Sequence, residues 1–346
     1  MSFESSAPKA DFLKALRGDN SSKQTPVWFM RQAGRYLPEY RKLREEYNFR
    51  QMSHTPELIA EVTLQPFQHL DLDAAILFSD ILTCLEFMGA GFEFTEAGPK
   101  LANAGFDTLI NLKKLDVENL SFVRQGIKKI KTRLVEKPLI GFVGAPFTLA
   151  SYLIEGGTSR EFEQTRRSLL EFPDQFSEAL NFLADQISKY VVYQIESGVD
   201  AIQIFDSWVG ICSQQVYRKH IQPSVAKIVK VAHEHNKPVI LYSQPSSHLI
   251  ELLAETGADM LSVDWRTPIS QFARRLPRKI GFQGNLDPIY TTLNKEIAIT
   301  ATIEILEDIR ANNLADRFVF NVGHGVTPQT QLQTLQSIVE LCHARS

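Results

Sequence analysis

Short apolar runs alternate along this chain with longer segments in which apolar positions return every three or four residues. The short runs have strand length and β-branched or aromatic chemistry, and the longer ones have helical periodicity. Asp11–Leu16 is a short amphipathic segment, followed by a polar loop ending at Pro26 and a first strand at Val27–Met30. Helices are expected at Glu39–Tyr47 and at Pro56–Leu70, the second opened by Thr55 and Pro56. A second strand at Ala74–Phe78 leads into a glycine-rich excursion, Phe87–Gly105, read as folding over one end of the molecule. An amphipathic helix, Val117–Lys137, precedes the third strand, Leu139–Val143. A long helix, Pro173–Ser197, is stopped by Gly198 before strand four, Ala201–Phe205. Then come a helix at Val216–His235, strand five at Val239–Tyr242, and a short helix at His248–Thr256 closed by Gly257. Strand six is Met260–Val263, strand seven Ile280–Gln283 and strand eight Phe318–Asn321, with helices at Ile297–Asn312 and Thr330–Leu341.

Strand alternating with helix is the pattern of parallel βα units, and eight such units predict an α/β fold, a single (β/α)8 TIM barrel with distorted or extended βα loops. No GxGxxG follows the first strand, where MRQAGR stands instead, so a dinucleotide-binding sheet is disfavoured. With no internal repeat, low-complexity tract or linker, residues 1–346 read as one domain, with 1–20 a peripheral N-terminal segment.

Composition narrows the function. The 37 basic and 40 acidic residues leave a net charge of −3, which gives no global attraction to nucleic acid or to a membrane surface. Anion recognition must therefore be local. The three cysteines, Cys84, Cys212 and Cys342, form no CxxC pair, which disfavours a structural zinc site, an iron–sulfur site or a disulfide framework. The amino terminus lacks the apolar run of a secretory signal, and no stretch has the length and apolarity of a membrane span, so the chain reads as cytoplasmic.

The polar residues fall where the strands end. Arg31 and Arg35 follow strand one, Asp80 strand two and Tyr152 strand three. Asp206 and Ser207 end strand four, Asp264 ends strand six, and His324 follows strand eight. Each has an ordinary explanation alone: arginines solvate helix faces, aspartates cap helices and tyrosines pack. In a barrel, however, all these positions converge on one mouth, where active sites are built. Two arginines can hold carboxylates or phosphates in bidentate fashion. The chain has no HExxH motif, no Walker lysine and no lysine well placed at a strand end. The residues thus point to an enzyme acting on an anionic, polycarboxylate substrate without a metal or nucleotide.

Two long stretches go further. PVWFMRQAGRYLPEYR (26–41) and GFVGAPFTLASYLIEGG (141–157) resemble the two signature segments of the uroporphyrinogen decarboxylase family. The likeness continues through AAILFSDIL (74–82), IFDSWVG (204–210), SVDWR (262–266), QGNLDP (283–288) and NVGHGVTP (321–328), in the family's order and spacing. The resemblance implies a (β/α)8 barrel, a homodimer with facing clefts and no cofactor or metal. The implied activity removes the four acetate carboxyls of uroporphyrinogen III, giving coproporphyrinogen III and four CO2. It also implies substrate-contacting roles for Arg31, Gln32 and Arg35 and places Asp80 against the pyrrole N–H groups. Tyr152, Ser207 and His324 match further substrate-binding positions, and Asp80, Arg31, Tyr152 and His324 form the catalytic set. Residues 242–248, YSQPSSH, depart from the glycine-containing stretch usual after strand five, so a differently shaped loop is expected there.

Loss of CO2 from an acetate on a pyrrole needs an electron sink, which protonation of the ring α-carbon supplies. A carboxylate beside the ring N–H groups stabilises that cation, the part expected of Asp80. Arg31 and Asp80 are the candidates for the proton donor, with Arg41 or Arg50 helping at the rim. The competing reading is a zinc-dependent corrinoid or thiol methyltransferase on the same barrel, which needs a His-x-Cys pair and a later cysteine. Cys84, Cys212 and Cys342 do not stand in that setting.

Overall fold

Seven parallel strands lie side by side in the computed structural model of the chain, which describes residues 10–95, 98–101, 103–245 and 247–344. Residues 1–9 of the expected N-terminal segment, 96, 97 and 102 of the glycine-rich excursion, and 246 of the loop after strand five lie outside the described residues. In chain order the strands are β1 (Ala75–Ile76), the antiparallel hairpin β2 (Phe92–Thr95) and β3 (Gly98–Leu101), β4 (Leu139–Gly144), β5 (Ala201–Asp206), β6 (Val239–Ser243), β7 (Met260–Ser262), β8 (Gly281–Leu286) and β9 (Phe318–Val322). The parallel sheet runs β1-β4-β5-β6-β7-β8-β9, each strand beside its successor in the chain, with the hairpin apart. Helices fill the crossovers. Pro173–Ser197 packs against Gln222–Glu234 on the outside of the sheet, and Pro56–Leu64 against Ser121–Arg133. Strands covered on both faces read as near-continuous apolar runs; β4, β6, β7, β8 and β9 are buried at every position.

The result is a distorted, open barrel, and the distortion lies at the first predicted strand. Val27–Met30 forms no ladder and makes one parallel bridge, Val27 to Phe320. The reason is visible in its donors. The Val27 N–H is taken by Asp73 Oδ2 at 2.7 Å, the Phe29 N–H by Gln32 Oε1 at 3.1 Å and the Met30 N–H by Asn321 Oδ1 at 2.9 Å. Side chains occupy the groups that a neighbouring strand would use, so the segment sits in the seam without becoming a strand. It is held on both sides all the same. The Phe320 N–H donates to the Pro26 carbonyl at 2.8 Å, and the Asp73 N–H to the Val27 carbonyl at 2.9 Å. Trp28, fully buried, donates its indole N–H to Gln283 Oε1 at 2.9 Å. His343, at the end of the helix Leu332–His343, reaches Asp73 Oδ2 at 2.8 Å and joins the C-terminus to the same seam. The helix Ala10–Arg17 buries Phe12, Ala15 and Leu16.

Three expected helices are broken for local reasons. Pro56–Leu70 is α-helical to Leu64 and continues as a 3₁₀ turn, Gln65–Gln68, where Pro66 removes a donor. Val117–Lys137 divides into a 3₁₀ turn, Val117–Leu120, and a helix, Ser121–Arg133. Val216–His235 contains a π-helical turn, Tyr217–Ile221, ahead of Pro223, whose ring cannot follow a regular i−4 turn. The glycine-rich excursion contains the β2–β3 hairpin, and the Leu101 N–H donates to the Gly156 carbonyl, which brings the hairpin beside the end of the helix Pro146–Glu155. Among the described residues no helix is long and apolar enough to cross a membrane.

Candidate active site

A cleft of about 610 Å³ opens where the strands end. Its wall includes Arg31, Arg35, Asp80, Tyr152, Ser207 and His324, six of the seven residues expected at the site from sequence. Gln32, the seventh, does not line it. That side chain is fully buried, with Oε1 accepting the Phe29 N–H and Nε2 donating to the Ala74 carbonyl at 3.2 Å. Its backbone carbonyl accepts the Tyr36 hydroxyl at 2.7 Å. Gln32 therefore braces the turn that presents Arg31, and both ends of its amide are engaged by buried backbone groups. The Gln32 side chain thus stands behind the cleft wall, next to Arg31 in the chain.

Arg31 pays for its place with an uncommon backbone. Its φ of 63° is left-handed, a region that side chains with a Cβ rarely adopt outside sites where the surroundings impose it. The surroundings here are the Gln32 bonds and Gly325. A Cβ on Gly325 would stand 2.4 Å from Arg31 Cδ, so glycine at this position is what leaves room for the guanidinium arm. Arg31 and Arg35 are both exposed to the cleft, and among the described residues neither is paired with a carboxylate. The rim arginines differ. Arg41 donates to the Arg35 and Tyr36 carbonyls, and Arg50 pairs with Glu86, so both are committed to holding the protein together.

Asp80 does two jobs. Its Oδ1 accepts the Leu82 N–H at 2.8 Å and its own N–H meets Thr83 Oγ1 at 3.3 Å, an Asx turn that starts the short helix Thr83–Glu86. Oδ2 meets no donor among the described residues, and the half-buried carboxyl borders the cleft. Burial pushes its pKa up from 3.8 to about 6, against the lowering pull of the Leu82 N–H and Arg31. The Tyr152 phenol is pushed up to about 12, chiefly by burial and then by Asp80, and stays protonated as a donor. Its ring lies 4.0 Å from that of Trp208, centroid to centroid. His324 Nδ1 accepts the Gly325 N–H at 2.7 Å, which leaves the ring proton on Nε2. Burial, with Arg31 and Arg266 adding to it, depresses that imidazole to about 4, so it is a neutral donor.

Two strand-end aspartates leave the cleft. Asp264 turns to the Arg266 N–H at 2.9 Å, and Asp206 is fully buried behind Ser207. Aromatic side chains that the polar pattern passed over, Phe142, Phe205, Trp208 and Tyr242, line the cleft instead. Their signal was positional, each standing within or just beyond the end of a strand. Among the described residues no group of three or more His, Cys, Asp or Glu side chains gathers as a metal site would.

A parallel barrel whose mouth sets two unpaired guanidiniums and a carboxyl among aromatic walls has the build of an enzyme for an anionic, ring-bearing substrate. Comparison with known proteins agrees. The family model described as uroporphyrinogen decarboxylase (URO-D) matches residues 7–345. A uroporphyrinogen decarboxylase of Carboxydothermus hydrogenoformans is 42% identical over 341 residues, covering 97% of this chain and 96% of that one. One from Thermodesulfovibrio yellowstonii is 42% identical over 339 residues, covering 97% and 98%. Among solved structures, a methyltransferase from Methanosarcina mazei superposes with a TM-score of 0.78 over 96% of this chain and 97% of that one. At 19% identity that likeness shows the fold alone. The chain belongs to the uroporphyrinogen decarboxylase family and is a carboxy-lyase of that family.

Proposed function

We infer that this chain removes the four acetate carboxyls of uroporphyrinogen III, giving coproporphyrinogen III and four CO2, in tetrapyrrole biosynthesis and without a cofactor. Family membership supports the substrate and reaction. The observation that carries the site is the half-buried Asp80, which shares the cleft with Arg31 and Arg35; among the described residues its Oδ2 meets no donor and neither arginine is paired with a carboxylate. For each acetate, a proton added to the ring α-carbon makes an iminium-like cation. The carbon–carboxyl bond then breaks, its electron pair quenches the cation, and a second proton completes the methyl group while the ring carbon returns its own. One proton is consumed per CO2 released.

In this reading Asp80 Oδ2 accepts the pyrrole N–H groups and balances the cation. Its interaction strengthens as positive charge develops, which is what lowers a barrier rather than merely binding. Arg31 and Arg35 hold carboxylates of the substrate, which carries eight. Tyr152 and neutral His324 donate to carboxylate oxygens, and Ser207 supplies a further hydroxyl at the wall. Aromatic walls exclude water and strengthen each of these interactions. The family's homodimer, with clefts facing each other, and a single domain spanning the chain belong to this reading. So does a cytoplasmic location, which the buried, free Cys84, Cys212 and Cys342 support.

The test is an anaerobic incubation with reduced uroporphyrinogen III and no added metal, following the hepta- to tetracarboxylate products. Folded protein that releases no CO2 would overturn the assignment. Within it, Arg35→Ala is expected to raise KM about 10- to 100-fold, the loss of one charge-assisted contact. Unchanged KM would remove Arg35 from the substrate.

A further inference from the structure

Behind the cleft wall lies a polar contact that the reaction scheme leaves unused. Asp206, the last residue of β5, is fully buried. Its Oδ1 accepts the Thr148 hydroxyl at 2.9 Å, and Thr148 Oγ1 in turn accepts the Trp208 N–H at 3.4 Å. Just beside them the Ala145 N–H donates to the Phe205 carbonyl at 2.9 Å. These bonds join the end of β5 to the start of the helix Pro146–Glu155. What each side carries makes the contact matter. The β5 side continues directly into Ser207 and Trp208, and the helix carries Tyr152 one turn beyond Thr148, on the same face. The Tyr152 ring rests on Trp208, whose other neighbour is Phe162, 4.6 Å away between centroids.

The carboxyl is an expensive choice for a mere tie. Asp206 Oδ2 is buried without a partner among the described residues, as is the hydroxyl of Tyr217 nearby. A buried polar atom left unpaired works against folding, and such groups persist where they serve another end. Burial also pushes the Asp206 pKa up to about 7, with the Thr148 hydroxyl and then the Thr148 backbone N–H opposing.

We propose that Asp206 is a positioning residue for the decarboxylation: through the Thr148 hydroxyl it locks the strand end bearing Ser207 and Trp208 to the helix bearing Tyr152. The lock sets where the phenol stands over the cleft. It rests on the reading that the cleft is the decarboxylation site. A donor misplaced by about 1 Å costs on the order of 100-fold in rate, so a lock one layer beneath the substrate has leverage on chemistry.

The test uses the full chain with Thr148→Val, Thr148→Ser and Asp206→Ala, assayed anaerobically with uroporphyrinogen III. Folded fraction is read by circular dichroism, and products are compared at matched conversion. Thr148→Val keeps the side-chain volume and deletes the hydroxyl; it is expected to lose about tenfold or more in kcat. It should also release a larger share of hepta-, hexa- and pentacarboxylates, because slower chemistry lets intermediates escape. A smaller folded fraction would lower the rate but leave that product ratio unchanged. Thr148→Ser, which restores the hydroxyl and loses a methyl, is expected to stay within about threefold of wild type with its product ratio, whereas Asp206→Ala, which removes the acceptor, is expected to match Thr148→Val in rate and products. Wild-type rate and products from Thr148→Val or from Asp206→Ala would overturn the lock, and so would equal losses from Thr148→Ser and Thr148→Val. An inactive wild type would instead overturn the decarboxylase reading on which the lock rests.

Discussion

Replacing Asp80 with asparagine is expected to stabilise the fold while it disables the enzyme. The isosteric amide keeps an oxygen for the Leu82 N–H, so the turn into Thr83–Glu86 survives. What disappears is the ionised carboxyl that burial raises from 3.8 to about 6. Without screening, ionising it inside the fold at neutral pH would cost about 3 kcal/mol. Water in the open cleft screens about half of this, leaving about 1.5 kcal/mol. For a chain of 346 residues that corresponds to a rise in Tm of about 2 °C. The sign follows from linkage. A raised acid favours the fold below its unfolded value near 3.8 and loses that advantage as pH climbs through about 6. The advantage of Asp80→Asn is therefore full at pH 7.5 and shrinks as pH falls toward 4.5. Thermal melts of both proteins across that range, with anaerobic turnover at pH 7.5, measure both halves. A variant no more stable than wild type at pH 7.5, or a gap that fails to narrow on acidification, would refute the desolvation argument. Near-normal turnover would refute the cation-stabilising role.

Three further outcomes are expected. Gly325→Ala must displace the Arg31 arm, whose Cδ would lie 2.4 Å from the new Cβ. Because a flexible exposed side chain yields, Tm is expected to change little while KM rises as it does for Arg31→Ala; a wild-type KM would count against the packing argument. Gln32→Ala leaves the Phe29 N–H and the Ala74 carbonyl unpaired in the interior and is expected to cost about 2–4 kcal/mol by urea unfolding, and a loss below ~1 kcal/mol would contradict the bracing role. At the seam, burial lowers the His343 pKa but its bond to Asp73 outweighs this, and the net shift is upward. Its stabilising effect is therefore present at low pH and lost as pH rises through the folded value. The stability gap between wild type and His343→Gln is expected to narrow from pH 5.5 to pH 9, and a gap that widens would reverse the sign assigned to the pair.

Much of this protein is legible from local pattern. The eight apolar runs with intervening helices point to a parallel α/β barrel, because strands buried on both faces read as near-continuous apolar runs. Polar residues at the ends of those runs mark the mouth, because chain direction in a parallel barrel puts every such end on one side. Arg31, Arg35, Asp80, Tyr152, Ser207 and His324 follow from that rule and from the resemblance of their motifs. The tertiary structure decided what distance along the chain conceals. Val27–Met30 has strand composition but loses its ladder to the side chains of Asp73, Gln32 and Asn321, and two of these come from far away in sequence. Gln32, a polar residue between two cleft arginines, faces inward because its amide satisfies buried backbone groups. Asp206 and Asp264 end strands as Asp80 does, yet one turns to Thr148 and the other to Arg266. Sequence by itself determined which positions reach the mouth; only packing decided which side chains find partners behind the wall and which stay free to meet a substrate, because hydrogen-bond partners are distributed in space and not along the chain.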